Sequence, residues 1–119
     1  MDVDFQIKRN DTSPAIESHL QYYDDEADEW KTRDISGNND VRFLMSRVGE
    51  DALTVDDNKA GNVTVTDAAN GKVKYEWQDG DTDAAGSYQA EWEVTYSDGT
   101  IETYPNDGYL YVEIIEDKG

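Results

Sequence analysis

The chain has 119 residues, the size of one domain, and carries a formal net charge of −18 from 10 basic and 28 acidic side chains. With that charge it is repelled by nucleic acid and by anionic membrane surfaces. It has no cysteine, which excludes disulfides and thiolate metal sites. No apolar run reaches membrane-spanning length, and the start, Met1-Asp2-Val3-Asp4, lacks a secretory pattern.

Hydrophobic residues make up only 36% of the chain and aromatics 11%, so much of any core has to be aromatic. The apolar residues alternate with polar ones, which marks half-buried strands. Val3, Phe5 and Ile7 form a first strand, and Asn10 to Pro14 a turn cluster. Ile16, Ser18, Leu20 and Tyr22 share one face of a second strand, with His19 pointing outward.

From about residue 24 to 40 the character changes. Asp24, Asp25, Glu26, Asp28 and Glu29 form a charge run and Gly37-Asn38-Asn39 closes it, so the stretch reads as a surface-loop insertion. A short helical turn near Glu26 to Trp30 fits within it, with Trp30 and Ile35 pinning it to the body. Val41, Phe43 and Met45 then line a third strand, with Leu44 on its other face. Leu53 to Val55 is a short strand, and Val63 and Val65 mark another. Asn70-Gly71 is the sharpest hairpin signal in the chain.

The block from Val73 to Val112 supplies most of the core. Val73, Tyr75 and Trp77 alternate with charged residues, as do Tyr88, Ala90, Trp92, Val94 and Tyr96 with Gln89, Glu91, Glu93 and Thr95. Ser97-Asp98-Gly99-Thr100 turns into Ile101 to Tyr104, and Pro105 with Asn106-Asp107-Gly108 turns into Tyr109 to Ile115. The expectation is one all-β domain over 1–119, an antiparallel immunoglobulin-like β-sandwich of seven to nine short strands, with a small closed barrel as the alternative.

Little in the sequence builds catalysis. His19 is the one histidine, and nothing places a serine beside it. Paired carboxylates are uninformative among 28 acids. Asp79, Asp81 and Asp83 alternate as calcium or magnesium ligands would. Counting from Asp79, however, the sixth position is Ala84 and the twelfth Ala90, where an EF-hand needs glycine and glutamate. Turn aspartates capping backbone amides are the plainer account. No cofactor is expected. Gly86-Ser87-Tyr88 has the form of a tyrosine corner, in which the hydroxyl bonds back to upstream backbone.

Val73-Lys74-Tyr75-Glu76-Trp77, Gly80-Asp81-Thr82, Gly86-Ser87-Tyr88, Ala90-Glu91-Trp92-Glu93-Val94, Ser97-Asp98-Gly99-Thr100 and Tyr104-Pro105-Asn106-Asp107-Gly108-Tyr109, with Asp11-Thr12-Ser13-Pro14-Ala15-Ile16 earlier, carry a resemblance. Together they resemble the immunoglobulin-like N-terminal domain of the baseplate upper protein family of tailed phages. The resemblance is strong from 73 to 112 and weak from 24 to 60. It implies a virion structural protein without enzymatic activity, working against other virion proteins in a symmetric assembly. In that family further segments follow and reach a receptor-binding protein. Here the last expected strand lies close to Gly119, which implies an anchoring domain standing alone. Capsid decoration or a turret on the virion head is the alternative, and a carbohydrate- or receptor-binding module is a third. Asp outnumbers Glu 18 to 10 and Lys occurs only six times, which fits a high-salt source such as a virus of a halophilic archaeon. Exposed aromatic and apolar residues outside the core alternation are the interface candidates: Tyr23, Trp30, Leu44, Tyr109 and Tyr111.

Overall fold

The computed structural model describes residues 3–118. Eleven strands run in the order β1 (Phe5–Lys8), β2 (Ile16–His19), β3 (Gln21–Asp24), β4 (Glu29–Thr32), β5 (Asn38–Arg47), β6 (Leu53–Asp57), β7 (Val63–Asp67), β8 (Lys72–Tyr75), β9 (Gly86–Tyr96), β10 (Ile101–Tyr104) and β11 (Leu110–Ile115). The protein is nearly all β and its sheets are rich in antiparallel pairs.

The long alternating segment forms the spine. β9 points Tyr88, Ala90, Trp92 and Val94 inward. One of its edges pairs with β5 from Asn38↔Tyr96 to Arg47↔Tyr88. Its other edge is shared, with Leu110–Ile114 of β11 against the first half and Ile101–Tyr104 of β10 against the second. β6 extends this sheet beyond β5, and β1 extends it beyond β11 through a parallel pairing, Phe5↔Val112 to Lys8↔Ile115. A second sheet has the order β2-β8-β7, and β3 with β4 form a separate hairpin.

The buried side chains of the two sheets meet in one cluster dominated by aromatics. Phe43 from β5 stacks on Tyr75 from β8 at 4.7 Å and 18°, and packs on Trp92 at 4.8 Å. Trp77 closes the cluster edge-on to both Phe43 and Tyr75. Such pairs add about 0.5–1.5 kcal/mol each beyond the area they bury, which offsets the low apolar content.

The 24–40 stretch corrects the sequence expectation. Residues 24–32 form strand, turn and strand rather than a loop or a helical turn, and 33–37 is the irregular link to β5. Tyr23↔Trp30 and Asp24↔Glu29 pair as the end of a regular hairpin, and β5 already begins at Asn38. The strand total therefore exceeds the expected seven to nine. Ile35 is fully buried as expected, but Trp30 is 62% exposed and pins nothing to the core. The second expected strand also breaks, because the Leu20 carbonyl accepts from Arg33 N while its N–H donates to the Gly71 carbonyl. Gly71 itself sits at φ 64, and a Cβ there would lie 2.9 Å from the Leu20 carbonyl oxygen. The β7–β8 hairpin expected at Asn70-Gly71 is present, with a 3-10 turn over Ala68–Asn70 before the glycine.

Candidate functional site

The hairpin β3–β4 leaves the body just after Leu20. Directly opposed residues of an antiparallel pair share a face, so Tyr23 stands with Trp30 and Gln21 with Thr32 on one face, and Tyr22 with Lys31 and Asp24 with Glu29 on the other. The paired residues of the first face include no carboxylate, lysine or arginine, and the Asp28 carboxylate reaches it from the turn to take the Tyr23 hydroxyl. Tyr23 and Trp30 meet edge to face at 5.5 Å and 80°, and both are exposed. The second face carries the charges, including an ion pair between Lys31 Nζ and Asp24 Oδ2 at 2.7 Å.

The charge run makes the turn rather than opposing it. Asp24 Oδ1 accepts from the N–H groups of Glu26 and Ala27 at 3.0 and 3.2 Å, and the Tyr23 hydroxyl donates to the Asp28 carboxylate. Asp28 takes the left-handed conformation at φ 55. Lys31 and these amides hold the Asp24 carboxyl below its ordinary range.

Arg33 fixes the base of the hairpin. Its Nε and Nη2 donate to Glu102 Oε1 at 3.1 and 3.0 Å, and its guanidinium lies over the rings of Tyr22 and Tyr96. The Tyr96 and Tyr104 hydroxyls are 3.0 Å apart, and Tyr96 also donates to Glu102. Tyr96 and Glu102 hold Arg33 firmly charged. Burial, followed by these same neighbours, pushes the Tyr104 hydroxyl far above its ordinary value, so it stays protonated.

Beside the aromatic face lies a groove of about 150 Å3. Ser18, His19, Leu20 and Gln21 form one wall, Trp30 a second, and Pro105 with Leu110 a third, over buried Trp92 and Tyr104. None of these side chains is a carboxylate, lysine or arginine. In a chain of charge −18 this is a marked local depletion, and depletion of charge distinguishes the centres of binding surfaces. Sites that engulf a small molecule run to roughly 300–1,000 Å3. This groove holds one side chain or one ring.

The sequence candidates divide. Tyr23 and Trp30 come together on the hairpin face, and Tyr109 is exposed in the turn before Leu110, which lines the groove. Tyr111 is half-buried and lines a separate, more polar groove with Val3, Gln6 and Glu113. Leu44 is half-buried on β5 opposite Asp56 and Glu91. His19 is exposed as expected, with Nε2 3.0 Å from Thr32 Oγ1. Asp79 and Asp83 are exposed and Asp81 turns inward, where it accepts from the Tyr75 hydroxyl at 2.5 Å and from Gln78 N at 2.8 Å. Its carboxylate is therefore a loop cap. Among the described residues no group of three or more His, Asp or Glu is gathered to hold a metal ion.

His19, Gln21, Pro105 and Leu110 were missed as site residues, because a groove between remote segments has no local pattern. The available signal was Gln21 and Tyr23 alternating before the charge run and Trp30 and Thr32 after it. No protein-family model matches the chain, and neither curated proteins nor solved structures yield a match.

Proposed function

We propose that the chain is a non-enzymatic, immunoglobulin-like assembly domain of a tailed virus particle, placed in the tail or baseplate. It docks on its neighbours through the hairpin β3–β4 and the adjoining groove. Several features support the fold reading. β11-β9-β5-β6 faces β2-β8-β7, β1 runs parallel to β11 at the end of the larger sheet, and the Tyr88 hydroxyl donates to the Ala84 carbonyl at 2.7 Å in the manner of a tyrosine corner. The observation that carries the docking reading is Trp30, 62% exposed beside Tyr23 on the aromatic face of the hairpin. An exposed tryptophan next to a preformed groove is the kind of anchor that dominates binding energy.

Immunogold labelling of purified particles with antibody against this chain tests the reading, together with particles assembled from Trp30→Ala chain. Label at the tail tip, lost in Trp30→Ala, is the expected result. Label over the head makes the chain a decoration or turret subunit. Absence of label from every particle overturns the virion reading.

One observation favours a second reading, a glycan- or receptor-binding module. Trp30 offers a flat ring beside the polar groups of His19 and Gln21, at a size suited to one sugar ring. Glycan-array binding by the wild-type chain that disappears in Trp30→Ala is its expected signature.

A further inference from the structure

The groove is bordered by backbone as well as by side chains. β2 pairs with β8 from Ile16↔Tyr75 to His19↔Lys72, and among the described strands β8 is its one partner. Among the described residues no strand pairs with the opposite edge of β2. Because Ser18 to Gln21 line the groove, that edge runs along it. The strand that precedes β2 in the chain does not cover the edge, since β1 pairs with β11 in the other sheet. A free edge presents a row of unpaired N–H and C=O groups, ready to template another strand.

The surroundings specify what fits. Leu20, Trp30, Trp92, Tyr104, Pro105 and Leu110 make most of the groove apolar, so the side chain that enters is apolar. The borders are acidic in sequence, with Glu17 on β2, Asp25, Glu26 and Asp28 in the hairpin turn that follows the aromatic face, and Asp107 in the β10–β11 turn between Pro105 and Leu110. Nearby bases are already engaged, Lys31 with Asp24 and Arg33 with Glu102, while Lys72 stands on the β8 side of β2, away from the free edge. A second copy of this chain presents the same acidic borders and so does not supply a complementary basic segment, with 10 basic side chains against 28 acidic ones.

We propose that an extended segment of a partner protein adds to β2 as a fourth strand of the smaller sheet. It inserts one apolar side chain between Trp30 and Leu110 and carries lysine or arginine on its flanks. The proposal rests on the docking reading above and names the occupant of that site. Main-chain pairing supplies much of the affinity, the groove selects the anchor, and the acidic border selects the flanks.

The test pans the purified chain against a display library of randomised nine-residue peptides. The enriched pool is expected to be basic at its ends and apolar at its centre. A synthetic peptide from that pool should protect the Glu17 and His19 amides from hydrogen exchange. It should lose at least about tenfold in affinity when alternate backbone nitrogens are methylated, and about tenfold against Trp30→Ala. A methylated peptide that binds as tightly, a pool without basic flanks, or no enrichment at all overturns strand addition. Particle incorporation of Trp30→Ala separates the two ideas. Lost incorporation with no enriched peptide leaves docking standing and removes strand addition. Normal incorporation with a basic, methylation-sensitive pool leaves strand addition standing and removes Trp30 as the anchor that docks the chain in the particle.

Discussion

Trp92 Nε1 donates to Ser18 Oγ at 2.9 Å, joining the spine of the larger sheet to the edge strand of the smaller one across 74 positions of sequence. Trp92 is fully buried, so its N–H has no water to fall back on. Ser18→Ala is expected to cost about 1–3 kcal/mol by leaving that donor unpaired. Trp92→Ala is expected to cost about 3–5 kcal/mol by opening a cavity. Urea unfolding of the two variants checks both values, with Ser18→Ala the smaller loss.

Tyr88 bonds its hydroxyl at both ends, donating to the Ala84 carbonyl at 2.7 Å and accepting from Arg47 Nη2 at 3.2 Å. Tyr88→Phe keeps the ring, which packs under the Arg47 guanidinium, and removes both bonds. The expected loss is about 1 kcal/mol, with faster amide exchange over residues 79–85, the loop that the hydroxyl ties down. Exchange unchanged there would make the corner decorative.

Arg33 touches no proposed partner, yet it orients the hairpin that does. Arg33→Ala removes the fork on Glu102 and the cover over Tyr22 and Tyr96. Amide exchange in Gln21–Thr32 is expected to quicken, and affinity for a docked partner to fall about tenfold through lost preorganisation. Arg33→Lys keeps the charge without the planar fork and is expected to rescue only part of the loss. Equal affinity in all three proteins would separate the hairpin from binding.

Salt and acid act in opposite directions. A net charge of −18 repels itself, so the melting temperature is expected to rise from low salt to molar potassium chloride as screening shortens the range of repulsion. A flat or falling melting temperature would remove the high-salt reading of the composition. In acid, Asp24, Asp34 and Asp98 matter most. Their carboxyls lie below the ordinary value of 3.8 because Lys31, Ser36 and Thr100 respectively bond their ionised forms. A depressed folded pKa stabilises above the unfolded value, and that stability is lost as pH falls through the folded one. The urea midpoint is therefore expected to drop below about pH 4, and Asp98→Asn to make that drop shallower.

The parts of the fold legible in the sequence are those with local causes. Tyr88 to Tyr96 alternates so cleanly that β9 and its inward face follow from period alone. The β9–β10 turn follows from Asp98, whose carboxylate accepts from Thr100 N and Oγ1 at 2.9 and 2.6 Å. The hairpin at 21–32 was illegible for a physical reason. Five carboxylates in six positions look like a solvated loop, and only folding reveals that Asp24 closes the turn and Asp28 takes the Tyr23 hydroxyl while the other three are exposed. The parallel partnership of β1 with β11 leaves no local mark either, since it joins segments more than 100 residues apart. The groove likewise joins segments remote in sequence, so its wall of Ser18 to Gln21 could not be joined to Pro105 and Leu110 beforehand.

That parallel partnership also decides how the molecule bears tension. Phe5 lies against Val112 and Lys8 against Ile115, with both strands running the same way. A pull on the two ends of the chain drags β1 backward and β11 forward along their common axis. The ladder between them is then loaded in shear, so its hydrogen bonds must fail together rather than peel apart one at a time. A domain built this way can sit in line with a mechanical load and pass it through the larger sheet, while β2 and its hairpin remain out of the path of the force.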